Sequence, residues 1–144
     1  MLQRIQTVYL LVAIILSGIV SFLLPFWSDQ EMEDVYLDSL FQTGEVTLMA
    51  VPVLFMMSGL ISVITILSFK TRTRQIVFNR LNIVINFLLL GVIVYHLLML
   101  PGETVVSKKG IGVFIPLIVI VFLALANKAI IKDEKLVKSV DRLR

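Results

Sequence analysis

Four long apolar runs constrain this chain more than any other feature of its sequence. They cover residues 5–24, 46–69, 81–100 and 111–131. Each run has about 20 residues, which is the length of an α-helix that crosses the hydrocarbon core of a bilayer. Because lipid offers no partner to free backbone N–H and C=O groups, the runs are predicted to be helices. We therefore expect an all-α fold, an integral membrane four-helix bundle that forms a single domain.

The composition excludes several classes of protein and site. Hydrophobic residues make up 58% of the 144 residues, whereas a soluble domain is about 45–50% apolar. The chain has no cysteine and one histidine, so no thiolate or multi-histidine metal site is expected within it. The net charge of +3 is too small to indicate a nucleic-acid partner. We expect membrane lipid as a partner, and no cofactor, no metal and no catalytic residue.

The charges between the runs predict how the chain is threaded. Residues 25–45 hold six acids and no Lys or Arg, whereas residues 70–80 hold four cations and no acid. More cations follow the fourth run, in the tail 132–144. Lys and Arg are retained on the cytoplasmic side of a membrane. We therefore expect two in–out–in hairpins with cytoplasmic N and C termini, an acidic outer loop and a basic inner loop.

Two further expectations concern the acidic loop. Phe26 and Trp27 follow the first apolar run directly, and aromatic residues at such a boundary are typical of the aromatic belt of membrane proteins. Apolar residues recur over residues 35–41. That pattern indicates a short helix that rests on the membrane surface.

A polar stripe enters the third run. Its amides, spaced 4, 3 and 4 along the chain, are Gln75, Asn79, Asn82 and Asn86. This spacing places them on one side of a helix. An amide that faces hydrocarbon is costly, so the stripe is expected to face protein or water. At the same depth the chain also carries Gln3, Arg4, Gln6 and Arg80.

Three interpretations of this stripe stay open. The first is hydrogen bonding between helices. The second is a cytoplasm-facing polar pocket for a small ligand, a lipid headgroup or a partner helix, in which Arg4 and Arg80 would hold an anionic group. The third is an interface with another subunit. Ser58 and Ser62, four residues apart on the second run, fit the small-residue pattern of close helix contacts.

The two halves of the chain resemble each other. Residues 2–6 read LQRIQ and residues 78–82 read FNRLN, so each has an apolar residue, an amide, an arginine, an aliphatic residue and an amide. Either the two hairpins are a duplication, or both runs independently need an arginine at the inner boundary.

Catalytic chemistry has little support in the sequence. No Asp, Glu, Lys or Arg lies in the middle of any run, and ion-coupled carriers usually mark their path with such residues. His96 lies on the third run, near its outer end. A lone histidine lacks a nucleophile and an orienting carboxylate. We therefore expect His96 to be a packed residue and the protein not to be an enzyme.

The tail predicts an amphipathic helix that continues from the fourth run. Leu136, Val140 and Leu143 are spaced 4 and 3, with Arg142 and Arg144 beside them. This pattern gives one apolar side and one charged side. The apolar side is expected either to lie on anionic lipid or to dock on protein, whether on this chain's own loops or on a partner.

Three stretches of the chain carry a resemblance to a known family. They read MLQRIQTVYLL at residues 1–11, RQIVFNRLNIVIN at 74–86 and NKAIIKDEKLVKSVDRLR at 127–144. Together they resemble a bacterial family of small four-span inner-membrane proteins catalogued as a domain of unknown function. The resemblance covers nearly the whole chain. It implies a multi-pass protein of the bacterial inner (cytoplasmic) membrane and supplies no activity and no site residue.

Two functional hypotheses follow. The leading one is a non-enzymatic small accessory or scaffolding subunit of a larger inner-membrane assembly, with other membrane-protein subunits as its partners. The alternative is a small-solute or lipid transporter or binding protein that acts through the cytoplasm-facing polar pocket.

Overall fold

In the computed structural model, the chain forms a bundle of four long, mutually packed helical segments. The structure describes residues 3–28, 34–99 and 110–143, and for Gln3 and Arg4 it describes the backbone alone. The expectations for the side chains of Gln3 and Arg4, and for Arg144, therefore lie outside the described part.

The first helical segment changes its hydrogen-bonding pattern midway. It consists of α1 (Gln3–Ile14), a π-helical stretch (Ile15–Val20) and the short α2 (Ser21–Leu23). A π-helical stretch widens the helix locally and shifts the register of the residues after it. Here Ser17 Oγ donates to the Ala13 carbonyl oxygen at 2.7 Å, and Ser21 Oγ donates to Ser17 O at 2.7 Å. Both hydroxyl groups thus donate their hydrogen bonds to backbone carbonyls of the same helical segment.

The other three segments are regular α-helices. They are α3 (Val46–Leu67), α4 (Arg72–Met99) and α5 (Ile115–Arg142), the last preceded by a 3₁₀ turn at Ile111–Phe114. Pro116 lies in the first turn of α5, where a missing N–H removes no intrahelical bond.

The helices pack in a ring in chain order. The first segment contacts α3 and α5, and α4 also contacts α3 and α5. Along a pair of neighbouring helices, residues later on one helix contact residues earlier on the other. Gln75 of α4 bonds to Thr65 of α3, and Asn86, further along α4, bonds to Ser58, which is earlier on α3. Neighbouring helices are therefore antiparallel, as two consecutive hairpins require.

Most of the apolar surface of these helices faces outward. In the most apolar stretch of each segment, between 22% and 33% of the residues are buried inside the protein. The remaining side chains would be in unfavourable contact with water, and a bilayer is the solvent that accepts them. The four segments are long and apolar enough to cross a membrane. The predicted fold class is confirmed: the chain is an all-α, multi-pass membrane protein.

The predicted basic loop at residues 70–80 is too long. α4 begins at Arg72, so Arg72, Arg74 and Arg80 lie on a helix and only a short turn separates it from α3. An apolar run marks where a helix enters hydrocarbon and not where its hydrogen bonding begins. Arginine and glutamine are good helix formers, so the helix continues through polar residues.

The end of the bundle that carries residues 24–28, 34–45 and 110–114, here called the acidic end, is closed by backbone pairing. β1 (Trp27–Ser28) and β2 (Asp34–Val35) form an antiparallel pair. The N–H of Phe26 donates to Val35 O at 2.9 Å. The N–H groups of Gly110 and Gly112 donate to the carbonyls of Phe26 and Pro25, both at 3.0 Å. These bonds fold the loop back over the helix ends.

This pairing overturns both expectations for the acidic loop. Phe26 and Trp27 are buried instead of forming a membrane belt. Phe26 lies edge-on to Phe55 of α3, with ring centroids 5.6 Å apart. The surface helix is absent from residues 34–45, where a 3₁₀ turn at Ser39–Phe41 turns Leu40 inward. The physical reason is that the β-pair directs the chain toward the bundle, where Phe26, Trp27 and Leu40 pack into the apolar core.

Gly110 is predicted to be indispensable for this closure. A Cβ at residue 110 would overlap the Pro25 carbonyl oxygen, and backbone cannot yield as a flexible side chain does. We expect Gly110→Ala to lower the free energy of unfolding in detergent by about 1–3 kcal/mol, the usual cost of overpacking.

The matched control is Gly91→Ala on α4. A Cβ at residue 91 meets nothing within 4 Å, so that change is expected to be neutral or to stabilise by about 0.5–1 kcal/mol through helix propensity. Equal stability of the two variants would contradict the close approach of Gly110 to Pro25.

Candidate functional site

The amide stripe of α4 faces the interior of the bundle. Gln75 is 2% exposed, and Asn79, Asn82 and Asn86 are 0% exposed. Their spacing is close to the period of the helix, so successive amides stack one turn apart. The same helix turns its aliphatic side chains outward between them. We call these four residues the amide column.

Three members of the amide column bind α4 to α3. Gln75 Nε2 donates to Thr65 O at 2.9 Å. Asn82 Nδ2 donates to Ser58 O at 3.0 Å and to Ser62 Oγ at 2.7 Å. Asn86 Nδ2 donates to Ser58 Oγ at 2.8 Å. Each contact joins an amide hydrogen to an oxygen of the facing helix, so α3 and α4 are bonded over about three helical turns.

The fourth member binds a different helix. Asn79 Nδ2 donates to the carbonyl oxygen of Leu123 on α5 at 2.7 Å. At the end of the bundle opposite the acidic end, here called the basic end, Arg72 Nη1 donates to Asp133 O of α5 at 2.9 Å. α4 is therefore the helix to which both neighbours are hydrogen bonded.

The first segment contributes buried polar groups to the same interior. Gln6 is 5% exposed, and Ser17 and Ser21 are fully buried. Gly59 of α3 lies against Ser17, because a Cβ there would be 3.5 Å from Ser17 Oγ. That distance is an ordinary van der Waals contact, so the π-helical stretch packs against α3 here without requiring a glycine.

Several amide oxygens in this interior accept no hydrogen bond from any residue that the structure describes. They are Gln6 Oε1, Gln75 Oε1, Asn79 Oδ1, Asn86 Oδ1 and Asn127 Oδ1. The amide nitrogens of Gln75 and Asn79 donate to backbone carbonyls, and this fixes which amide atom is nitrogen and which is oxygen. A buried acceptor without a donor costs about 1–3 kcal/mol. The interior therefore offers acceptors and suits hydrogen-bond donors.

Of the two arginines of the predicted anion pocket, the structure describes the side chain of Arg80 alone, and it does not place that side chain beside the amide column. Arg80 is exposed, on the outer side of α4, while its neighbour Asn79 is buried. The hydrogen-bonding NH₂ groups of the amide column are already engaged with carbonyl and hydroxyl oxygens. An anion would face unpaired oxygens instead of donors, and the like charge would repel it.

His96 lies apart from the amide column. It is ten residues beyond Asn86 on α4 (96 − 86), and its ring is edge-on to Tyr95 with centroids 5.5 Å apart. Its Nε2 has no hydrogen-bond partner among the described residues. Among all the residues that the structure describes, no three His, Cys, Asp or Glu side chains lie close enough together to hold a metal ion.

The tail residues lie where α5 continues beyond the fourth apolar run. This part of the helix, residues 132–142 with Leu143 at its end, is here called the extension of α5. The helix runs unbroken to Arg142, and Leu136, Val140 and Leu143 are 49%, 60% and 89% exposed. Arg142 is exposed beside them. The described part of this chain thus leaves about half of Leu136 and most of Val140 and Leu143 uncovered.

Sequence reasoning missed some polar members of the interior. Ser58 and Ser62 were expected to permit close packing, yet they accept the amide hydrogens of α4. Their spacing of four residues matches that between Asn82 and Asn86, which was an available signal. Asn127 gave no comparable signal, because it sits among cations where the fourth run ends.

A double-mutant cycle is predicted to isolate the contact between Asn82 and Ser62. We expect Asn82→Ala and Ser62→Ala to couple by about 0.6–1.7 kcal/mol of unfolding free energy, the range of hydrogen bonds between membrane helices. Unfolding in mixed detergent measures the four variants.

The control cycle pairs Asn79→Ala with Ser62→Ala. Asn79 bonds to α5 and not to Ser62, so these two changes should add to within about 0.5 kcal/mol. If both cycles showed the same coupling, the assignment of Asn82 to Ser62 would be wrong.

Comparison with known proteins places the chain in a family. The domain of unknown function DUF4293 matches residues 2–143, which include the amide column and the extension of α5. No curated protein and no solved structure matches this chain. The resemblance predicted from the three sequence stretches is confirmed. With its four apolar helices and a match over nearly its whole length, the chain belongs to the DUF4293 family, a domain of unknown function.

Proposed function

We propose that the protein is a non-enzymatic accessory subunit of a larger assembly in the bacterial inner membrane, and that its basic end faces the cytoplasm. One observation carries the proposal: the extension of α5 exposes an apolar stripe after the lysines that follow the fourth apolar run. The stripe consists of Leu136, Val140 and Leu143. The proposed partner is another membrane-protein subunit that covers it.

The stripe belongs to a longer line of exposed residues on α5. Separated by three or four positions, these residues follow one side of the helix: Leu117, Val121, Leu125, Lys128, Lys132, Leu136, Val140 and Leu143. The line starts apolar, passes two lysines and becomes apolar again. The first apolar part suits lipid, and the lysines suit the headgroup layer.

The second apolar part lies too far along the helix to reach hydrocarbon. At 1.5 Å per residue, the 28 residues of α5 extend about 42 Å, whereas the hydrocarbon core is about 30 Å thick. Leu136 and Leu143 lie about 12 and 22 Å beyond Lys128 on the same basis. Because no proline or glycine interrupts α5 after Pro116, the extension does not fold back onto the membrane surface.

The base of the extension is held in place. Arg72 at the start of α4 donates to the carbonyl of Asp133, and Lys138 forms an ion pair with Glu134 at 2.9 Å. The stripe is therefore presented in a defined direction, away from the bundle. A helix that presents Leu, Val and Leu at this spacing matches the binding mode in which an apolar helix side enters a groove.

Photo-cross-linking in living cells tests this proposal. A photoreactive amino acid at residue 140, in the stripe, is expected to give a covalent adduct with a second membrane protein. The same amino acid at residue 141, which points about 100° away around the helix, is the control and should react much less. Adducts are separated by mass on denaturing gels and the captured chain is identified by mass spectrometry.

A stripe variant completes this test. Leu136→Ser, Val140→Ser and Leu143→Ser together should abolish co-purification of the captured protein in mild detergent, while the bundle unfolds as in the wild type. Its stability is expected to persist because the three side chains are about half or more exposed and none belongs to the buried core. A wild-type chain that elutes alone, with no adduct from residue 140, would overturn the accessory role.

A second candidate function rests on the unpaired amide oxygens. A transporter or binding protein for a small solute that donates hydrogen bonds would use the acceptors of Asn79 and Asn86. The side chains at these positions must then be reachable from the basic end when helices separate. This candidate differs from the pocket expected for an anion, because the groups on offer are oxygens.

Cysteine labelling tests the second candidate in this cysteine-free chain. If solute enters, Asn79→Cys reacts with a small charged thiol reagent added from the basic side, at a rate at least about tenfold above Leu88→Cys. Leu88 faces outward on the same helix and is the control for reagent that dissolves in the bilayer. If the cysteine at residue 79 failed to react with the thiol reagent under all conditions, solute transport or binding through this interior would be ruled out.

A further inference from the structure

Three lysines stand in a row where α5 leaves the bundle. Lys128, Lys132 and Lys135 are spaced 4 and 3 and are all exposed on one side of the helix. None of them forms an ion pair with any residue that the structure describes, whereas Lys138, further along, is paired with Glu134. Three unpaired ammonium groups within about two helical turns repel one another. The arrangement favours an anion that bridges them.

A groove with apolar walls runs beside this row. It has a volume of about 660 Å³ and extends along α5 from Ala124 past Ile131 to Ser139. All three lysines line it, and so does Asn127, whose Oδ1 is buried without a donor among the described residues. The groove thus combines an apolar floor with three cations.

A smaller groove lies on the other side of the lysine row. It has a volume of about 230 Å³, lies between the first segment and α5, and is lined by Tyr9 and Leu125. Lys128 and Lys132 line this groove too, together with Asp133. The carboxylate of Asp133 opposes an anion on this side, so the larger groove is the better anion site.

We propose that the larger groove binds an anionic glycerophospholipid of the surrounding bilayer. The phosphate lies against Lys128, Lys132 and Lys135, and one acyl chain extends past Ala124 toward the apolar part of α5. The site is complete in a single chain and needs no partner subunit.

Position and charge together favour a lipid over a soluble anion. The lysine row directly follows the apolar part of α5, at the level where the headgroups of a bilayer lie. Basic sites beside membrane helices at this level bind phospholipid headgroups. The groove continues from the row toward the apolar part of the helix, and only a ligand with an acyl chain fills both regions.

Lipid titration of the purified full-length chain tests the proposal. Native mass spectrometry in mild detergent measures the affinity for phosphatidylglycerol and for phosphatidylcholine. The wild type is expected to prefer phosphatidylglycerol by at least about tenfold. Replacing Lys128, Lys132 and Lys135 together by Gln should remove that preference, since each lysine near a headgroup contributes about a fivefold change.

A charge-matched variant separates a site from general attraction. Lys70→Gln, Arg74→Gln and Lys138→Gln together remove the same charge from exposed positions at the same end of the bundle. This variant is expected to keep the preference for phosphatidylglycerol. An equal loss in both triple variants, or no preference in the wild type, would overturn the proposal.

A third variant tests the groove itself. Ala124→Phe fills the apolar wall and leaves every charge in place, so it is expected to weaken phosphatidylglycerol binding at least about threefold. Circular dichroism and a monodisperse elution profile show that each variant is folded. Unchanged affinity in a folded Ala124→Phe variant would overturn the assignment of the acyl chain to this groove.

Discussion

Hydrogen bonds from the amide column hold this bundle together in a solvent that gives helices little reason to associate. Lipid tails are as apolar as leucine, so burial of Leu or Val against another helix gains little there. An amide in hydrocarbon, in contrast, must find a partner. α4 presents Gln75, Asn79, Asn82 and Asn86 to its neighbours, and each donates to an oxygen on α3 or α5. These contacts tie α4 to both of its neighbours in the ring.

The two ends of the bundle are built on different physical principles. At the acidic end, backbone pairing folds the loop inward, and the rings of Phe26 and Phe55 fill the space between the helix ends. The basic end stays open around α5, where lysines, two grooves and the exposed stripe succeed one another along one helix. Contacts with lipid and with other subunits are therefore proposed for the basic end.

α5 carries both proposed contacts because it is longer than the hydrocarbon core is thick. Its apolar part suits hydrocarbon, its lysine row suits headgroups and its far end suits protein. These are three environments met in order along a straight rod. The hydrogen bond from Arg72 to the Asp133 carbonyl joins α5 to α4 at the point where α5 leaves the bundle. Lipid and partner would thus occupy adjacent stretches of the same helix.

The sequence by itself determined the number of helices, the common side of the four amides and the apolar stripe of the tail. All of these depend on length and period, which are local properties of a chain. Only the tertiary structure decided that Asn79 bonds to α5 while Asn82 bonds to α3, that Arg80 is excluded from the interior, and that Phe26 and Trp27 are buried. Helical period gives the direction of a side chain around its own axis, but it does not say which helix lies there. That depends on how the ring of helices closes and how the acidic loop pairs, and both are contacts between residues distant in the chain.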